Sequence, residues 1–266
     1  MKHKAPNIFN REWDVLVILD ACRVDSLEKQ VRDRDNYGDV AEYLSVGANS
    51  ATWLDAYEEK LKSDDIVYVS ANPHTKPCLD SNGCVEVWKT NWDEGLGTVR
   101  AEDVTDAALY HYDPKPSNRL VVHYMQPHFP SVPQPQFNSG FDKKGVTGDN
   151  ESNWSGSVWE QLNNGDVANE EVQEAYTENL KYVLDEVDVL TTFLSDCTVS
   201  VTADHGNSFT EPYGHPDRAT SDAVRQVPWC YAEAIEDPKR HPKDIEMSSM
   251  DDKIDVEKRL SSLGYR

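Results

Sequence analysis

The chain has 266 residues, enough for one large domain or two small ones. Hydrophobic residues make up 38% of it and fall in clear blocks, which excludes a wholly disordered chain. No apolar run approaches the ~18–20 residues of a membrane-spanning helix. The 48 Asp and Glu outnumber the 26 Lys and Arg, for a formal net charge of −22, and such a surface repels DNA and anionic lipid, which argues against a nucleic-acid partner. The acids are scattered along the chain, as in a well-hydrated surface, and a sharper form of the same reading is adaptation to a high-salt cytoplasm. The first ten residues, MKHKAPNIFN, lack the apolar stretch of a secretory signal, so a soluble, cytoplasmic protein is expected.

Cys22, Cys78, Cys84, Cys197 and Cys230 make five cysteines with no CxxC pair. They read as reduced thiols, several of them buried. Cys78 and Cys84 are close enough in sequence to bridge. A zinc ribbon is not supported.

In chain order, Val15–Leu19 is the first apolar, β-branched run and reads as a buried strand. Ile66–Val69 is the second, and Glu102–Tyr112 follows as a helix. Leu120–His123 is the third strand. The stretch 126–165, rich in Pro, Gly, Asn and Ser, reads as a long loop insertion of the functional kind. Asn169–Leu194 is the clearest helix, because Val172, Ala175, Tyr176, Leu180, Val183, Leu184, Val187 and Leu190 recur at helical spacing. Strands over Thr198–Thr202 and, more weakly, Val227–Tyr231 follow. From about residue 236 the chain turns polar, with a short helix over Val256–Leu263. Continuous apolar strands alternating with helices predict an α/β fold: a mostly parallel sheet with helices on both faces, in three layers. One domain over 1–235 and a polar tail over 236–266 are expected.

Ligands of an open parallel sheet bind at the carboxyl ends of its strands. After the first strand stands Asp20, and after Thr198–Thr202 stand Asp204 and His205. His123 and His128 close and follow the third strand, and His215 lies ten positions beyond His205. Each of these alone is weak, since an Asp after a strand is commonly a turn residue or helix cap. His123, on the strand itself, reads as a satisfied core histidine; His3, His74, His111 and His241 read as surface or supporting residues. Asp20, Asp204, His205, His128 and His215 together are more specific, and a mixed nitrogen and oxygen set suits Zn or Mn, with Mg or Ca open.

The blocks LVILDACRVDSL, HYMQPHFP, VTADHG and YGHP resemble, in sequence and in order, the alkaline phosphatase-like superfamily in its sulfatase-like branch, which includes phosphoethanolamine and phosphoglycerol transferases. The resemblance covers roughly residues 13–232 with the middle loop unmatched. It implies an alkaline phosphatase-like fold and a divalent metal held by Asp20, Ser50, Asp204 and His205. Ser50 would be the nucleophile at a helix start, with Thr52 in reserve. His128 and His215 would complete a partial second site or contact the transferred group. Arg23 would clamp the anion, or pair with Asp25. The implied substrate is a phosphorylated or sulfated small molecule, glycan or lipid head group. Around Ser50 the sequence Asn-Ser-Ala-Thr-Trp lacks the Pro and Arg of the sulfatase Cys/Ser-x-Pro-x-Arg signature, and acids for a full second metal site are not obvious. Three functions are weighed: a phosphoester hydrolase or transferase, a sulfuric ester hydrolase, and a catalytically silent binding module. Oligomeric state is not legible.

Overall fold

The computed structural model describes residues 7–75, 83–112, 118–137 and 157–242. Its strands are β1 (Val15–Leu19), β2 (Ala41–Leu44), β3 (Ile66–Ser70), β4 (Cys84–Glu86), β5 (Trp92–Asp93), β6 (Thr98–Val99), β7 (Arg119–Tyr124), β8 (Val199–Thr202) and β9 (Gln226–Ala232). Its helices are α1 (Val24–Val31), α2 (Ser50–Leu61), α3 (Val87–Thr90), α4 (Ala101–His111), α5 (Val158–Asn164), α6 (Asn169–Phe193) and α7 (Asp222–Arg225). Seven strands form one sheet in the order β2-β9-β8-β1-β7-β3-β4, and β5 and β6 form a small hairpin. β8, β1, β7, β3 and β4 run parallel, while β9 and β2 are added antiparallel at one edge. The central strands are buried on both faces, the reason they read as continuous apolar runs.

One face of the sheet (Val15, Val17, Leu19, Val122, Val201) packs under α1, α4 and α6, through Leu27, Val104, Leu180 and Val187 among others. The other face (Leu16, Ile18, Tyr68, Val121) packs under α2, through Trp53, Leu54, Tyr57 and Leu61. These are the three expected layers. No helix among the described residues is long and apolar enough to cross a membrane.

Two expectations need correction. The stretch 126–165 is not wholly loop: α5 lies in it, capped by the Ser157 hydroxyl on the Glu160 N–H and ended by Gly165 at φ 75°. Ser157 and Gly165 had blended into the turn-rich composition, although they are the start and stop of a helix. The polar segment after 235 begins as a docked strap: Arg240 pairs with Glu186 (2.6 Å) and Asp106 (2.7 Å), on α6 and α4. The proposed helix at 256–263 and Cys78, one partner of the suggested bridge, lie outside the described residues. Cys22 and Cys230 are buried, as read.

Candidate metal centre and nucleophile

Sheet register brings the two aspartates together. Ile18 of β1 pairs with Thr202 of β8, and two residues beyond each member of that pair stands an aspartate, Asp20 and Asp204. Side chains alternate along a strand, so both carboxylates continue the face that carries α2. His123 of β7 is the register partner of Ile18 and shares that face. Ser50 is the first residue of α2, whose cap is Asn49, the side chain of which accepts from the Thr52 N–H. The Ser50 hydroxyl donates to Asp204 Oδ2 at 2.6 Å and lies 3.3 Å from Asp20 Oδ2. Thr52 Oγ1 instead donates to Asn49, 2.8 Å from its Oδ1 and 3.0 Å from its carbonyl.

His205 Nε2 stands 3.4 Å from Asp20 Oδ1 and 3.4 Å from Asp204 Oδ2, and His123 Nε2 stands 3.7 Å from Asp204 Oδ2. Asp20, His123 and Asp204 each offer a donor atom within 4.8 Å of the others, and all three residues are buried. Asp20 Oδ1, His123 Nε2 and His205 Nε2 are buried without a hydrogen-bond partner among the described residues. Atoms buried without a hydrogen bond are costly and uncommon in native interiors; three of them about the Asp20 and Asp204 carboxylates fit a divalent cation. The reading of His123 as a satisfied core histidine is therefore corrected. Its Nδ1 is paired with the Tyr68 hydroxyl at 2.8 Å, but its Nε2 is turned toward the carboxylates unpaired. A histidine on an apolar strand looks like core from sequence alone; only the register reveals what it faces.

The electrostatics follow from burial and these neighbours. Burial would raise the pKa of Asp20, but His128, His205 and His123 outweigh it and hold the carboxyl well below its usual range. Burial would lower His205, yet Asp204 and Asp20 raise it to about 9. His123 is pushed down, chiefly by burial, which keeps its imidazole neutral and able to ligate. His128 and His215 meet through their Nε2 atoms at 2.8 Å, and the His215 ring lies 4.4 Å from that of His205, centroid to centroid. Burial first, then the His205 and His128 charges, depress His215 well below its ordinary value.

Arg23 forms a two-point pair with Asp25 (Nε–Oδ1 2.8 Å, Nη2–Oδ2 2.6 Å) and donates from Nη1 to the Asn207 carbonyl at 2.7 Å. Of the two roles weighed for it, the Asp25 pair is the one formed. Supporting residues that the sequence did not single out surround the centre. Asn72 donates to Asp20 Oδ2 at 2.8 Å. Ser45 donates its hydroxyl to the Asp204 carbonyl. Asn179 of α6 donates to the His128 carbonyl at 3.1 Å and accepts from the Val132 N–H at 3.1 Å. Amide and hydroxyl residues of this kind carry no spacing signal, because their partners are distant in sequence.

Ala21 has φ 58°, a strained value for a residue with a Cβ. It is held there by three bonds: its N–H donates to Asp204 Oδ1 (3.1 Å), while the Tyr176 hydroxyl donates to its carbonyl (2.8 Å) and accepts from the Arg23 N–H (3.0 Å). Tyr176→Phe leaves two backbone groups unpaired, so stability should fall by about 1–3 kcal/mol for each. A urea midpoint unchanged from the native protein would show that Tyr176 does not hold this turn.

No protein-family model matches the sequence, and no curated relative matches it. Solved structures do. The integral membrane protein lipooligosaccharide phosphoethanolamine transferase A from Neisseria meningitidis superposes with a TM-score of 0.54 at 14% identity, over 86% of this chain and 49% of that one. This chain thus spans about half the length of that protein. The soluble domain of the same transferase gives 0.55 at 13% identity, over 83% of this chain and 75% of the domain. A 2-O GAG sulfatase gives 0.53 at 13% identity, over 86% and 64%. Likeness at this level of identity speaks to architecture, and with the sheet order and layers above it assigns the chain the alkaline phosphatase-like fold, shared with phosphoethanolamine transferases and sulfatases.

Proposed function

We propose that the chain is a metal-dependent hydrolase or transferase of phosphate esters with Ser50 as its nucleophile. The observation that carries this is the Ser50 hydroxyl at the start of α2, 2.6 Å from Asp204 Oδ2, beside three buried donor atoms that have no hydrogen-bond partner among the described residues. Asp20, Asp204 and His123 would hold the cation, with His205 and Ser50 beside them. Zn or Mn suits that set best. When bound, the cation acidifies the hydroxyl it touches and offsets negative charge on the phosphoryl oxygens.

The chain's own groups do the rest. Asp204 Oδ2 orients the Ser50 hydroxyl and accepts its proton on the way to solvent. The Oγ–P bond forms as the P–O bond to the leaving group breaks, giving a phosphoserine. The backbone N–H groups of Ser50 and Ala51 at the start of α2 would face the phosphoryl oxygens, a favourable end of the helix for an anion. The His128 and His215 imidazoles meet through Nε2 at 2.8 Å; as an imidazolium the pair would give one proton to the leaving oxygen and return to neutral imidazole. Water or an acceptor hydroxyl then takes the group from Ser50, and which of the two arrives separates hydrolase from transferase. Arg23 is given a positioning role, fixing the start of α1 to the loop after β8, in place of an anion clamp.

A panel of p-nitrophenyl phosphate, bis-p-nitrophenyl phosphate and p-nitrophenyl sulfate, with Zn(II), Mn(II) or EDTA, tests this reading. Cation-dependent turnover of a phosphate ester is expected. Turnover of the sulfate alone would replace the reading with a sulfuric ester hydrolase, which the sulfatase likeness favours and the missing Pro and Arg after Ser50 oppose. No turnover and no cation uptake would leave a fold reused for binding. The pH dependence of uptake gives a second check. His205 holds a proton up to about pH 9 in the metal-free chain, and a cation seated there must displace it. Below that pH uptake releases a proton, so affinity should rise about tenfold per pH unit. Calorimetric titration in buffers of different ionisation enthalpy reads that proton directly; uptake without proton release would remove His205 from the site.

A further inference from the structure

We infer that Trp159 is a positioning residue that fixes the spacing of His128 and His215, an inference that rests on the proposed role of those two histidines at the leaving oxygen. Trp159 sits on α5, within the stretch whose composition reads as loop, and is 6% exposed. Its ring meets Phe129 at 5.6 Å with planes at 90°. Its pyrrole edge lies over Gly214: a Cβ there would stand 3.4 Å from Cγ, Cδ1 and Nε1 of the indole. Phe129 follows His128, and its carbonyl accepts the Nδ1–H of that histidine. Gly214 precedes His215 and adopts φ 76°. One indole thus touches the residues adjoining both members of a pair whose Nε2 atoms are 2.8 Å apart.

A second observation separates this from ordinary core packing. The indole Nε1–H is buried with no acceptor among the described residues, a desolvation cost that Leu or Phe would avoid. What the indole offers in exchange is a flat edge that seats on a glycine backbone. On its far side Gly214 is tied to Ser208 by two backbone hydrogen bonds, of 2.8 and 2.9 Å, so the His215 loop is held between that bridge and the indole. His123 and His205 are fixed differently, at strand ends and by Tyr68 and the Gly206 carbonyl. Loss of Trp159 should therefore disturb His128 and His215, reach His205 only through its ring contact with His215, and spare His123.

The test compares imidazole ¹⁵N resonances in the full-length protein, native and Trp159→Leu, with Trp159→Phe in parallel should the leucine variant not fold. Resonances of His128 and His215 are expected to shift, with a smaller change at His205 through its ring contact with His215 and His123 in place. Against bis-p-nitrophenyl phosphate, kcat should fall about 10–100-fold, as for a displacement near 1 Å, with KM changed less than about threefold. Shifts as large at His123 as at His128 and His215, or absent from His128 and His215, would overturn the inference. A native protein with no turnover would sink the enzymatic reading and still leave the resonances to decide the role of Trp159.

Discussion

Ser50→Ala should abolish turnover, by about 10³-fold or more, and leave fold and cation uptake close to native. The argument is geometric. Ser50 is the hydroxyl that meets both carboxylates, at 2.6 and 3.3 Å, and it opens α2, where alanine is well tolerated. Its loss removes the nucleophile while Asp20, Asp204, His123 and His205 remain to bind a cation. Thr52→Ala serves as the contrast. That hydroxyl is spent on the exposed Asn49 cap, whose bond to the Thr52 N–H survives, so its removal should cost about 1 kcal/mol of stability at most and little activity. Turnover retained in Ser50→Ala and lost in Thr52→Ala would move the nucleophile to Thr52.

Asp204→Asn should bind the cation at least about 100-fold more weakly, beyond what residues behind the ligands typically contribute, and should remain folded. Asp204 has two separable jobs. Its Oδ1 accepts from the Ala21 N–H at 3.1 Å and the His205 N–H at 2.9 Å, which an asparagine oxygen can also do. Its Oδ2 faces Ser50 and both histidines, where an amide NH₂ can neither ligate nor accept. Asp204→Ala loses both jobs and leaves two buried N–H groups unpaired, so it should melt below Asp204→Asn by the equivalent of about 1–3 kcal/mol per group. Equilibrium dialysis with Zn(II) or Mn(II), read beside thermal melts, separates the two effects. Native-like uptake by Asp204→Asn would place the cation elsewhere.

The parts of the fold legible in the sequence were those whose signal is local. Val15–Leu19 was read to the residue because a strand buried on both faces has nowhere to put a polar side chain. The long helix was read to within a residue because its apolar stripe persists over 25 residues. β2 escaped notice because it is a partly exposed edge strand, AEYL, with no apolar run, and β4 because three residues carry no period. The same division holds at the centre. Asp20 and the Asp204–His205 pair stand where any strand of a parallel sheet would present a ligand. His123 faces them only through the pairing of β1 with β7, and Asn72, Asn179 and Tyr176 only through contacts with residues 52, 51 and 155 positions away.

The central claim is that Ser50 carries the transferred group. The most direct measurement is an acid quench of the protein during turnover of bis-p-nitrophenyl phosphate with Zn(II) or Mn(II), followed by peptide mass spectrometry. The account predicts a phosphoryl adduct on Ser50, present in the native protein and absent from Ser50→Ala. An adduct on another residue, or turnover that proceeds at full rate in Ser50→Ala with no adduct, would contradict it.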